Sequence, residues 1–137
     1  MVEALAVLMR WLHLTSMATL VGGMLFGRLA ITASEEALAP DARESFGSRF
    51  AGAYRPLVVA AVAGLIVSGT YNLMTNSGHS VRYHVLLGIK LLLALHVFAS
   101  AFLATKPKNP RRARVMIGTA ISGLIIVAIS AYLRRIY

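Results

Sequence analysis

Four side chains that can bind a metal or carry a charge lie within long apolar stretches of this sequence. They are His13, His84, Lys90 and His96. Ionisable side chains are costly inside a membrane and are usually retained there for a function. A neutral imidazole is a frequent metal ligand and a common axial ligand of haem iron. These four residues are therefore the candidate site residues, whereas His79 falls in a predicted turn.

His13 belongs to a stripe of residues in the first apolar stretch, made up of Met9, His13, Met17, Leu20 and Met24. Their spacing of three or four residues places them on one face of a helix. Histidine together with thioether groups suits Cu(I). The same residues suit an apolar haem pocket, with imidazole as the axial ligand and methionine as packing. Ordinary core packing, with the imidazole hydrogen-bonded to a backbone carbonyl, is the third interpretation.

The other three candidates are spaced six residues apart. In an α-helix this spacing rotates each side chain by about 240° from the previous one. His84, Lys90 and His96 therefore lie on three different faces and do not all serve one site. We expect His13 to be one axial ligand of haem b, and either His84 or His96 to be the other.

The depth of His13 in the membrane decides between these two pairings. If the first helix enters the membrane near Trp11, an aromatic residue typical of the interface, His84 is level with His13. If the helix begins near Ala4, His13 lies deeper and His96 is the nearer partner. Both pairings stay open on the sequence alone.

Lys90 also has two interpretations. Its long side chain could reach towards the membrane surface and keep the ammonium group in water. Alternatively, the ammonium pairs with the carboxylate of a haem propionate or a substrate, or Lys90 is a weak haem ligand. Arg10 and Arg82, which lie near the ends of apolar stretches, are also placed to pair with propionates.

Four apolar runs must position these residues. They cover about residues 4–31, 56–75, 83–104 and 115–133 of the 137-residue chain. Each is long enough to cross about 30 Å of hydrocarbon. The composition agrees, because 58% of residues are hydrophobic and only 14% are charged. We therefore predict one all-α domain over 1–137, an integral membrane four-helix bundle whose partner is the lipid bilayer.

The basic residues predict how the bundle is oriented. Nine of them lie in or beside the first and third connections: Arg28, Arg43, Arg49, Arg55, Lys106, Lys108, Arg111, Arg112 and Arg114. Four lie at the opposite side: Arg10, Arg82, Arg134 and Arg135. Lys and Arg accumulate in cytoplasmic loops. Both termini are therefore expected outside, and the net charge of +9 needs no nucleic-acid partner.

The connections have predicted structure of their own. Ser34 to Arg55 forms a sizeable loop with local helix, in which Asp41 and Glu44 resemble a capping box. Pro56 suits the first turn of the second span. Small residues at four-residue spacing allow close helix packing, within one chain or across a homodimer: Ala60, Gly64 and Ser68 in the second span, Gly118 and Ser122 in the fourth.

Several kinds of chemistry are excluded by residues that the sequence lacks. The chain has no cysteine, so disulfides, thiolate metal sites and iron–sulfur clusters are ruled out. The predicted spans contain no Asp or Glu, which argues against a carboxylate proton relay or a cation-transport site. No nucleotide-binding or hydrolase motif is present.

Short motifs in the first three spans resemble those of a known membrane superfamily. They are Trp11-Leu12-His13 with Gly22-Gly23, Phe26 and Arg28, then Arg55-Pro56-Leu57 with Val67-Ser68-Gly69-Thr70-Tyr71-Asn72, and Tyr83-His84-Val85-Leu86-Leu87-Gly88-Ile89-Lys90-Leu91. They are similar to the helices of CopD-type copper-resistance membrane proteins and of the related HemJ-type protoporphyrinogen IX oxidases. CopD-type proteins usually have more spans and are linked to copper uptake across the bacterial inner membrane.

The HemJ resemblance implies a four-helix haem-b protein whose functional pair is a first-helix histidine and a third-helix lysine. By position these residues are His13 and Lys90. The resemblance also implies a bacterial inner (cytoplasmic) membrane location.

We therefore expect a b-type cytochrome that transfers electrons, for instance between a membrane quinol and an acceptor on the outer side. A homodimer could complete its ligand set. The alternatives are a CopD-type copper transport protein that uses the methionine stripe, a membrane oxidoreductase acting on protoporphyrinogen, and a structural subunit without cofactor.

Overall fold

The computed structural model describes residues 1–75, 78, 80–107 and 109–135. Within these ranges it contains helices and no strands. The four helices are α1 (Val2–Ala37), α2 (Pro40–Thr75), α3 (Val81–Ala104) and α4 (Arg112–Arg135). Each is long and apolar enough to cross a membrane. The predicted all-α integral membrane four-helix bundle is confirmed, and the outside location of both termini stays a prediction.

The connection between α1 and α2 is much shorter than predicted. Only Leu38 and Ala39 separate the two helices, so the expected loop from 34 to 55 is wrong. The capping box is also wrong, because Asp41 already lies inside the first turn of α2. The proline at the first position of this helix is Pro40, where a missing N–H costs nothing.

Pro56 lies inside α2 instead of starting it. The helix continues through this residue because its buried face keeps one register on both sides of the proline. That face consists of Gly47, Ala51, Tyr54, Val58, Ala61, Val62, Gly64, Leu65 and Ser68. Pro56 itself is exposed, so its ring lies away from the neighbouring helices. Packing of the continuous buried face outweighs the hydrogen bond that the proline removes.

The helices pack as two antiparallel pairs. α1 packs along α2, α3 packs along α4, and the two pairs meet where α1 contacts α4, whereas α2 and α3 touch only sparsely. The core lies towards the end of the bundle that carries the α1–α2 and α3–α4 connections. Leu20, Met24, Val58, Met116 and Ala120 are completely buried there. The opposite half, which contains His13 and Lys90, is packed more loosely.

Glycines set the closest helix approaches. The Tyr54 ring packs directly against the backbone at Gly23, and Gly64 faces Ser16 of α1. In α4 the close approach to α1 occurs at Gly123 beside Val21, whereas Gly118 has open space next to it. The second-span stripe is thus used within the chain at Gly64, and a homodimer stays a prediction.

The remaining connections are turns. Arg112 closes the C-terminal end of α3, since its Nε donates to the Ala104 carbonyl at 3.0 Å and its Nη2 to the Lys106 carbonyl at 2.6 Å. At the other end, Gly78 has a φ of 77° and Ser80 caps α3. The other residues of the predicted turn, Asn76, Ser77 and His79, lie outside the described residues, as does Lys108 in the basic connection.

Candidate intramembrane site

His13 lies on α1 where this helix crosses α2. Its ring is half-buried, and Nδ1 lies 2.9 Å from the Oγ atom of Ser68. The two helices come close here because Gly64, one turn from Ser68, has no side chain and leaves room for Ser16 and Leu12. The contact therefore depends on small residues of α2 packing against the polar stripe of α1.

The Ser68 hydroxyl determines which nitrogen of His13 carries the proton. Ser68 is completely buried, and its Oγ donates to the Gly64 carbonyl at 2.7 Å. With its one hydrogen donated to the Gly64 carbonyl, the hydroxyl accepts from His13. The Nδ1 atom of neutral His13 is then the protonated one, and Nε2 keeps a free lone pair. This is how a metal-binding histidine is held, with one nitrogen oriented by a hydrogen bond and the other free to coordinate.

Lys90 of α3 lies within electrostatic range of His13. Both residues are half-buried. His13 lies eleven residues from the start of α1 and Lys90 nine residues from the start of α3. These separations correspond to about 17 Å and 14 Å along the helix axes. Because α1 and α3 run in the same direction, both side chains lie in the half of the bundle away from the α1–α2 and α3–α4 connections.

No acidic side chain compensates the Lys90 ammonium. Among the described residues, no hydrogen bond and no ion pair to Lys90 is formed. The loosely packed half of the bundle thus combines a half-buried imidazole with a half-buried cation. An anionic group bound next to His13 would be attracted to this cation.

His84 and His96 do not join this cluster in the described structure. Both side chains are exposed on α3, and His84 stacks edge-on against the neighbouring Tyr83 ring. Each lies six residues from Lys90, or about 9 Å along the helix axis, and on a different face. Of these three α3 residues, Lys90 is the one whose charge acts on His13.

The methionine stripe divides into two parts. Met24 is completely buried in the apolar core, and Met17 packs against that core. Met9 is half-buried beyond His13. Over the part of the chain that the structure describes, no group of three or more His, Cys, Asp or Glu side chains could hold a metal ion. Because Met24 is completely buried in the apolar core, it acts as core packing.

Ser68 is the site residue that the sequence did not single out for chemistry. The sequence feature that includes Ser68 is the run of small residues at four-residue spacing in α2, which indicates close helix packing. Its hydroxyl matters because of the register between α1 and α2, which local sequence does not contain.

Comparison with known proteins gives no match, since no protein-family model, no curated protein and no solved structure matches this chain. The resemblance to CopD-type and HemJ-type proteins therefore stays a prediction.

Proposed function

We propose that this integral membrane protein binds haem b through Nε2 of His13 and transfers electrons within a bacterial inner membrane. The observation that carries the proposal is the hydrogen bond from His13 Nδ1 to Ser68, which leaves Nε2 free and fixes the ring. A half-buried, oriented and neutral imidazole is the side chain that axial ligation requires.

The donor set fits haem better than a copper ion. Haem brings its own ring of nitrogen ligands, so a single imidazole from the chain can hold the iron. A protein-bound Cu(I) needs several soft donors around one point. The methionine closest to the core, Met24, is completely buried among apolar side chains. Copper transport of the CopD type is therefore the less well supported interpretation of the methionine stripe.

Each residue of the site has a separate task. His13 binds the iron, and Ser68 holds the imidazole in the required tautomer and orientation. The Lys90 ammonium attracts a propionate or another anionic group at the same depth. The bound haem would supply a one-electron couple that exchanges with a membrane quinol and an acceptor on the outer side. His84 and His96, exposed on α3, could supply a second ligand only in a homodimer.

A second candidate function is supported by the electrostatic interaction of Lys90 with His13. This is the residue pair that the HemJ resemblance implies for a protoporphyrinogen-oxidising enzyme. In that reaction Lys90 would bind a carboxylate of the porphyrin substrate and hold the ring beside His13. The protein would then be a membrane oxidoreductase instead of an electron carrier.

The decisive experiment is a dithionite-reduced minus oxidised absorbance spectrum of the detergent-purified protein, with iron and copper analysis of the same sample. We expect a sharp reduced α-band and stoichiometric iron. His13→Ala should abolish the Soret band. A normal spectrum for His13→Ala would overturn the ligand assignment, and a protein without a haem band would overturn the proposal. Turnover of protoporphyrinogen that requires Lys90 would select the enzyme.

A further inference from the structure

A second site lies at the opposite end of the bundle from His13. Three arginines, Arg28, Arg111 and Arg114, line a cavity of about 310 Å³ together with Thr32 and Glu35. The cavity lies where the C-terminal part of α1 meets the start of α4. It adjoins a larger cavity of about 500 Å³, with which it shares Glu35.

Arg28, the arginine that α1 contributes to the cavity, is held in place by a hydrogen bond to α4. Arg28 is half-buried, and its Nη1 donates to the Ala113 carbonyl at 3.1 Å. This bond fixes the guanidinium beside the first turn of α4, and the other N–H groups of Arg28 form no further hydrogen bond with the described residues. Arg111 directly precedes α4, Arg114 lies in its first turn, and both are exposed. Arginines from α1, from the α3–α4 connection and from α4 thus line one cavity.

The positive charge of this cavity is largely uncompensated. Glu35 is the acidic side chain that lines it, and within the described residues no ion pair joins Glu35 to any of the three arginines. The partial positive charge at the N-terminus of α4 adds to that of the arginines. Arg112 differs from these residues because its N–H groups are engaged by the backbone carbonyls of Ala104 and Lys106.

The height of the cavity in the bundle indicates where its ligand comes from. The apolar part of α4 begins directly after Arg114, and Arg28 precedes the last apolar residue of the first run by one turn. The cavity therefore lies where apolar helix surface gives way to polar connections. In a bilayer this is the level of the lipid headgroups.

We propose that this cavity binds the phosphate of an anionic phospholipid headgroup. Guanidinium groups match phosphate oxygens in geometry and charge. Basic pockets between transmembrane helices bind anionic headgroups on the side of the membrane where basic residues accumulate. A zwitterionic headgroup gains less here, because its own ammonium is repelled by the same arginines. The proposal is independent of haem binding, since it involves none of the residues near His13.

The test uses the full chain in a neutral detergent and native mass spectrometry with added phosphatidylglycerol or phosphatidylcholine. We expect phosphatidylglycerol to bind more tightly, and Arg111→Gln with Arg114→Gln to weaken its binding by about 30-fold, which corresponds to about 2 kcal/mol. The matched control is Arg134→Gln with Arg135→Gln, which removes the same charge from exposed residues at the other end of α4. This control should bind phosphatidylglycerol as the unchanged protein does.

Three results would overturn the proposal. One is an equal loss in both double variants, which would show attraction to net charge alone. The second is equal binding of the two lipids. The third is protection against thermal unfolding by inorganic phosphate but not by phosphatidylglycerol, which would assign the cavity to a free phosphate ligand.

Discussion

The Nδ1 atom of His13 on α1 lies 2.9 Å from the Oγ atom of Ser68 on α2, and that same Oγ donates to the Gly64 carbonyl at 2.7 Å. A single hydroxyl therefore links the imidazole to the backbone of the neighbouring helix. This link fixes the ring orientation and directs Nε2 away from α2. The buried serine thus orients the His13 ring between the two helices.

Removing the Ser68 hydroxyl should weaken haem binding while leaving the fold intact. Without it, the His13 ring loses its hydrogen-bond partner and can adopt the other tautomer. Hydrogen-bond partners of metal-binding histidines are worth about 10–100-fold in affinity. We expect Ser68→Ala to lower haem affinity by that range, measured by titrating the haem-free protein and following the Soret band.

Ser130→Ala is the matched control for this substitution. The Ser130 hydroxyl also donates to a carbonyl of its own helix, at 2.8 Å to Ile126, and it forms no hydrogen bond with a histidine of the described residues. Its removal should leave haem affinity unchanged. Equal affinities for the two alanine variants would show that Ser68 does not orient the ligand.

The charge of Lys90 should raise the reduction potential of a haem bound to His13. Reduction adds an electron to the site, and a nearby cation stabilises the added negative charge. Lys90→Met removes this charge and keeps the length of the side chain. We expect the midpoint potential to fall by roughly 50–100 mV, the size of a charge interaction at about 10 Å in a partly buried site.

Lys106→Met provides the comparison in a redox titration. Lys106 is exposed at the other end of the bundle, so its removal should shift the potential little. If Lys90→Met left the potential where it was, Lys90 would not interact with the cofactor. An unchanged potential together with lost turnover of protoporphyrinogen would favour a role in substrate binding.

The four helices could be predicted from the sequence, but the way in which they pack against one another could not. Apolar runs correctly predicted four membrane-spanning helices, because hydropathy over about 20 residues is a local property. The 240° steps correctly separated His84, Lys90 and His96 onto different faces. Which face meets α1 depends on how α3 is rotated against the other helices, and that is set by long-range packing. The pairing of His13 with His84 or His96 therefore stays a prediction, and Lys90 is the α3 residue whose charge acts on His13.

The α1–α2 connection shows the same limit at short range. Both Pro40 and Pro56 could begin a helix by the local rule, and the prediction was a local helix after Pro40 within a loop and a separate span beginning at Pro56. The rule contained no information about the apolar face that runs unbroken from Ala51 to Leu65. Burial of that face against α1 keeps the backbone helical through the proline.

Two adjacent glycines of α1 should respond in opposite ways to substitution by alanine. A Cβ atom at Gly23 would overlap the Tyr54 ring, whose hydroxyl donates to the carbonyls of Thr19 and Leu20. A Cβ atom at Gly22 meets open space. We expect Gly23→Ala to lower the free energy of unfolding by about 1–3 kcal/mol. Gly22→Ala should raise it by about 0.5–1 kcal/mol through helix propensity.

Thermal unfolding of both glycine variants in the same detergent, followed by circular dichroism, gives the comparison. The Tyr54→Phe variant separates the two contributions of the tyrosine, because it keeps the ring and loses the hydrogen bonds. Similar midpoints for Gly22→Ala and Gly23→Ala would contradict the close contact between α1 and α2 at Tyr54.

Arg112 should be indispensable for the stability of the α3–α4 connection, although it is one of many basic residues in this region. Its side chain is only 5% exposed, and its forked guanidinium reaches the carbonyl of Ala104, which the end of α3 leaves without a helical partner, and the carbonyl of Lys106 in the connection. Lysine keeps the charge but offers a single ammonium on a flexible stem, which cannot reproduce both bonds. We expect Arg112→Lys to cost about 1.5–3 kcal/mol of unfolding free energy, the worth of a hydrogen bond to a charged group. Arg114→Lys, an exposed neighbour with the same change, should be neutral in the same unfolding assay. If the two lysine variants unfolded at the same temperature, the carbonyls of Ala104 and Lys106 would be satisfied without Arg112, and its burial would have no role in closing α3.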